Sequence, residues 1–152
     1  MDPMTNSSRN IKEAVPFFRV SDMEASLRFY VDGLGFAITH QWVPRGKIEW
    51  CRIGRDGVGL MLQEPRRNKE GQPAWMPESK VGTGVSISFT CEDALAIYHE
   101  ILARGIGVSE PFVGNAMWVI LLQDPDGYRL EFQSHTDVPE ETTYTDWKSR
   151  GL

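Results

Sequence analysis

The chain has 152 residues, 41% hydrophobic and 24% charged, with a net charge of −5, ordinary proportions for one globular domain or two small modules sharing a core. The acidic balance argues against a nucleic-acid binder, which needs a basic stripe, and no apolar run approaches the ~18–20 residues that cross a bilayer. Cys51 and Cys91 lie far apart and match no zinc spacing. Reduced, partly buried thiols are expected.

Residues 1–13 open with MDPMTNSSRN, which holds no apolar stretch. They read as a disordered lead-in without a signal peptide, which predicts a cytoplasmic location. Residues 14–64 read as a first module. Ala14 to Val20 is rich in β-branched and aromatic residues, a strand. Ser21 and Glu24 have capping-box spacing, and Leu27, Phe29, Tyr30 and Leu34 keep an approximately helical spacing until Gly33 and Gly35. Strands are predicted over Phe36 to Val43, Lys47 to Ile53 and Val58 to Glu64, with turns at Pro44 to Gly46 and Gly54 to Gly57. Residues 65–83, rich in Pro, Gly and charge, read as a linker or flap.

Residues 84–134 repeat the order. Gly84 to Phe89 alternates apolar and Ser residues, a half-buried strand. Thr90 and Asp93 again have capping-box spacing, and a helix through Leu95, Tyr98, Ile101 and Leu102 stops at Gly105. Strands follow around Val108 to Val113, Met117 to Gln123 and Tyr128 to Ser134, the last preceded by a tight Asp124-Pro-Asp-Gly127 turn. Residues 135–152 form an acidic tail, read either as disordered or as docking across a groove. Such a repeated strand–helix–three-strand pattern predicts an α+β fold, two βαβββ modules forming a cupped mixed sheet with flanking helices.

The stretches FRVSDMEASLRFYVDGLGF and DPDGYRLEF, at matching places of a repeated module, resemble the vicinal-oxygen-chelate superfamily, the glyoxalase/bleomycin-resistance/dioxygenase group. The resemblance covers Ala14 to Ser134. It implies that two modules, from one chain or from two, close a cleft that takes either a divalent metal or a drug-like ligand. In metal-using relatives the ligands come from the first and last strand of each module. Matching the caps and hairpin turns puts those positions at Val15, Met61, Gly84 and Glu131. Of these Glu131 alone is a suitable donor, whereas a zinc-type site needs at least three. His40, His99 and His135 fall at none of the positions. No metal and no cofactor are therefore expected.

Period-two alternation points Phe17, Arg19, Met61 and Gln63 into the cup from the first module, and Ser86, Ser88, Arg129, Glu131 and Gln133 from the second. Such a mixture suits a small-molecule pocket. Bleomycin-resistance proteins, which the chain resembles in its many tryptophans, sequester a flat cationic drug, and aromatic faces hold such ligands by stacking and cation–π attraction. Trp42, Trp50, Trp75 and Trp118 join the candidate ligand-binding residues, Trp75 for its place in the flap; core filling is the competing role of each. Glu131 is a relic of a metal site, a counter-charge for a cationic ligand, or the one candidate general base; a structural pair with Arg19 is the plain alternative.

Together these readings predict a metal-free protein that binds a small aromatic or cationic molecule, acting as a homodimer, with no nucleic-acid or membrane partner. Two alternatives stand beside it: a lyase, isomerase or dioxygenase of the same superfamily, and a regulatory or immunity module that engages a protein segment.

Overall fold

The computed structural model describes residues 9–72 and 80–151. Each half of the chain builds its own four-stranded mixed sheet. The first contains β1 (Phe17–Arg19), α1 (Met23–Leu27, running on as a π-helical turn over Arg28–Gly33), β2 (Ala37–Trp42), β3 (Trp50–Arg55) and β4 (Val58–Gln63). The second contains β5 (Ser86–Thr90), α2 (Ala94–Ala103), β6 (Phe112–Gly114), β7 (Met117–Gln123) and β8 (Arg129–His135). Strand orders are β1-β4-β3-β2 and β5-β8-β7-β6, and the first strand of each module runs parallel to its last. The α+β architecture of two βαβββ modules is the one expected from the repeat.

Alternation assigns the faces as expected. Phe18, Leu60, Leu62, Cys51 and Ile53 are buried beneath α1, where Met23 Sδ lies 3.9 Å from Cys51 Sγ. Phe17, Met61 and Gln63 sit on the opposite, open face. A slip of one residue would exchange the two sets, so burial fixes the register.

Local signals differ from expectation in several places. The residues that cap the helices are Asp22 and Asp93, both extended (φ −147° and −146°), accepting from Ala25 N and Ala96 N. Ser21 is otherwise engaged: its N–H donates to the Asp126 carboxylate at 3.1 Å, and Thr90 ends β5. Strand β3 runs to Arg55 because Asp56 and Gly57 both adopt positive φ (52° and 83°), the two-residue turn that matches strand twist. Strand β6 is reduced to three residues and turns at Asn115 and Ala116, also at positive φ; the Glu140 carboxylate accepts from both their N–H groups.

The two motifs that carry the repeat meet as one interface between modules. Phe18 and Tyr128 stack with centroids 3.8 Å apart, and the Tyr128 hydroxyl donates to the Arg19 carbonyl at 3.0 Å. The Tyr30 hydroxyl donates to Asp124 Oδ2 at 2.7 Å, with both groups buried. Gly33 allows Ile106 to approach: a Cβ there would lie 2.2 Å from Ile106 Cδ1. Beside it, Glu100 accepts from Arg55 and Arg104, each at 2.8 Å.

The tail is not across a groove. After β8 it returns to the helix-bearing side of the second module and ends in α3 (Tyr144–Arg150), capped by Thr143. Trp118, Tyr144 and Trp147 form an aromatic cluster with centroid separations of 5.4–6.1 Å, and the Tyr144 hydroxyl lies 2.9 Å from His99 Nε2. Among the described residues no helix is long and apolar enough to cross a membrane.

Candidate functional site

The strand register lines side chains of the open face into ranks. One rank crosses the whole first sheet: Arg19 opposite Gln63, Gln63 opposite Trp50, Trp50 opposite Trp42. The next contains Phe17, Met61, Arg52 and His40. Four strands at ~4.8 Å spacing put about 14 Å between the ends of a rank. Phe17 and Trp42 are nearly half exposed, at 47% and 46%, which is unusual for side chains of this size unless something else covers them.

The first rank opens into a recess of about 410 Å³ lined by Arg19, Trp42, Gln63 and three groups of the strand ends and linker, Glu49, Glu64 and Arg66. Both carboxylates are engaged. Glu49 accepts from Arg45 at 2.7 Å and from Arg66 at 3.1 Å. Loss of hydration pushes its carboxyl up, but those hydrogen bonds outweigh it and hold the group below the usual carboxylate range. Glu64 accepts from Met23 N at 2.7 Å and Lys47 Nζ at 2.5 Å, so it joins the start of α1 to the β2–β3 link. Arg66 also lies over the Trp42 ring, 5.5 Å from its centroid. Arg19 is different: it donates to Gln63 Oε1 and rests over Phe17 at 5.3 Å.

On the second sheet Ser86 faces Arg129, and Ser88 faces Glu131, as expected for one open face. The Arg19–Glu131 pair does not form. Glu131 instead lies 3.6 Å from its own strand neighbour, Arg129 Nε. Trp118 is a correction to the candidate set. It is 4% exposed and shares its face with Val113 and Ser134, beneath the tail. Alternation along β7 puts Met117, Val119 and Leu121 on the open side instead. Trp75 lies outside the described residues.

Arg52, Arg66 and Glu49 escaped the sequence reading. Arg52 was legible as the residue two after Trp50, on the same face. Arg66 and Glu49 were not, since their approach to Trp42 and Arg19 depends on how the strand ends meet.

The profile of the Glyoxalase/Bleomycin resistance protein/Dioxygenase superfamily matches residues 11–132. The chain belongs to this superfamily. Solved structures with the same fold include a glyoxalase/bleomycin resistance protein/dioxygenase from Nocardioides, 20% identical over 91% of this chain and 93% of that one, with a TM-score of 0.62. TnmS3, an antibiotic binding protein from Streptomyces sp. CB03234, is 21% identical over 84% of this chain and all (100%) of its own, TM-score 0.59. TioX from Micromonospora sp. ML1 is 16% identical over 81% and 99%, TM-score 0.60. No curated protein matches the chain. At such identities these structures share a fold, and fold does not fix function.

For a member of the glyoxalase/bleomycin resistance/dioxygenase superfamily the donor set of the metal positions is diagnostic. Asp22 and Asp93, the true caps, align Phe17 with Ser88 rather than Val15 with Gly84. Phe17 pairs across the sheet with Met61, and Ser88 with Glu131. The corrected quartet is Phe17, Met61, Ser88 and Glu131. A phenyl ring, a thioether and a hydroxyl around one carboxylate do not fit a divalent zinc-type centre. Among the described residues no three His, Cys, Asp or Glu side chains converge as metal ligands.

Proposed function

We propose that the protein binds a flat, ring-containing small molecule against the open face of its first sheet and holds it without metal chemistry, as a sequestering protein inside the cell. The observation that carries this reading is the rank Arg19–Gln63–Trp50–Trp42. It offers two indole rings and two hydrogen-bonding heads on one rigid surface beside a recess of about 410 Å³, within the range of small-molecule sites. The chemistry of the aligned metal positions supports the same reading. TnmS3, of the same fold, is an antibiotic binding protein, which makes drug-like aromatic compounds the first class to test.

The functional form in this proposal is a homodimer. Phe17 and Trp42 stand exposed on the open face, with Val43 exposed beside Trp42, and a second copy with two-fold symmetry would cover them while turning an open face into a walled crevice. Titration of tryptophan fluorescence with a panel of flat aromatic drugs, bleomycin included, tests the binding role. Saturable quenching that disappears in Trp42→Ala is expected. Unchanged emission with every compound would overturn the proposal. Sedimentation equilibrium tests the assembly, and a mass of one chain at micromolar concentration would remove the dimer.

A further inference from the structure

We infer that the ligand of this site is a planar aromatic acid, its anionic group held by Arg19 and its ring system lying across Trp50 towards Trp42. The inference rests on the binding role proposed above and gives that role a charge preference opposite to the one the chain's net negative charge suggests.

The charges around the recess carry it. Five cations gather there, Arg19, Arg45, Lys47, Arg66 and Arg67, against two carboxylates, Glu49 and Glu64; Arg67 donates to the Gly71 and Ser21 carbonyls at the outer edge. Lys47 and the Met23 N–H take Glu64. Arg45 and Arg66 share Glu49. In the next rank Arg52 is answered by Glu13 at 3.0 Å. Among the described residues Arg19 meets no carboxylate; its one polar partner is the neutral amide of Gln63. A chain of net charge −5 thus keeps a local excess of positive charge on one of its most aromatic surfaces.

The donors suit a carboxylate more than a cation. A guanidinium offers a planar fork that matches two carboxylate oxygens. Here the fork is steadied from both sides, by Gln63 along the rank and by the Phe17 ring beneath it. A cationic ligand would meet an unshielded like charge at the same spot, with both nearby carboxylates already occupied. Glu131, the counter-charge a cation would need, lies on the other sheet beside Arg129. Ring stacking does not depend on this choice, because Trp42 and Trp50 accept any flat system.

The test uses three probes with one ring skeleton and different charge: naphthoate, naphthylmethanol and naphthylmethyl-trimethylammonium. Each is titrated calorimetrically into the full chain at neutral pH and low salt. Naphthoate is expected to bind about tenfold tighter than the alcohol, as a charge-assisted pair adds to stacking, and the ammonium probe more weakly than either. Arg19→Gln should abolish naphthoate's advantage over the alcohol, the ratio of the two affinities within the variant being the readout. Arg19→Lys should restore part of the difference. Arg19 is exposed, and an unchanged melting curve will show that the variants are folded. Equal affinities for the three probes, or tightest binding of the ammonium probe, would overturn the anionic preference and leave the binding role standing. An acid preference that survives Arg19→Gln would overturn the assignment to Arg19. If none of the probes binds, and the drug panel also fails, both the preference and the binding role fall.

Discussion

The buried hydrogen bond from Tyr30 to Asp124 joins helix α1 of one module to the hairpin of the other, and Tyr30→Phe removes it while keeping the ring. Both residues are buried, the bond is 2.7 Å long, and Asp124 Oδ1 also accepts from Asp126 N and Tyr128 N at 2.9 Å each. Those two donors remain in the variant, so the loss is that of one hydrogen bond to a charged group, about 1.5–3 kcal/mol. At roughly 3 °C per kcal/mol for a chain of this size, Tm should fall by about 5–9 °C. Burial pushes the Asp124 carboxyl up, against the hydrogen bonds that pull it down. A carboxyl raised in the folded state favours folding fully below its unfolded pKa, and that contribution fades as pH rises through the folded value. Without the Tyr30 donor the folded value rises further. The variant's deficit is therefore largest at neutral pH and shrinks in acid, where Asp124 holds a proton in both proteins. Urea unfolding of both proteins at equal concentration, at neutral pH and near the bottom of the carboxylate range, measures this. A loss below about 0.5 kcal/mol, or one that does not diminish in acid, would refute the reasoning.

Two paired substitutions separate core from site. Trp118→Ala should cost about 3–5 kcal/mol by opening a cavity beneath the tail, whereas Trp42→Ala should leave stability within about 1 kcal/mol and lose ligand binding; denaturation and fluorescence titration of both variants give the comparison. Gly82→Ala should be strongly destabilising, because its Cβ would lie 2.1 Å from Tyr128 N and 2.4 Å from the Gly127 carbonyl carbon, backbone that cannot swing aside, at a cost of about 1–3 kcal/mol or more. Gly107→Ala meets nothing within 4 Å and should shift Tm little in either direction.

The sequence by itself determined the repeated βαβββ order and which residues of β1, β4, β5 and β8 face the helices. Both follow from period-two alternation and from turn residues that act within a few positions of themselves. It also determined that Met61 and Glu131 occupy equivalent positions, because the Asp-Gly turns before them are local. It misplaced their first-strand partners, because Ser21 and Thr90 offer a plausible cap one and three residues before the aspartates that do the capping. What decides there is non-local: the Ser21 N–H is held by Asp126, more than a hundred residues away in the chain. The same limit applies to Trp118, whose composition suits a ligand contact but whose strand parity and covering tail make it core. Tertiary structure alone decided the charge of the site. Arg19 has a candidate partner in Glu131 by sequence, yet the two are carried by different sheets and each finds a neighbour on its own. Hydrophobic periodicity is written along the chain one turn or pleat at a time, whereas ion pairing depends on distances that exist only once the sheets are assembled.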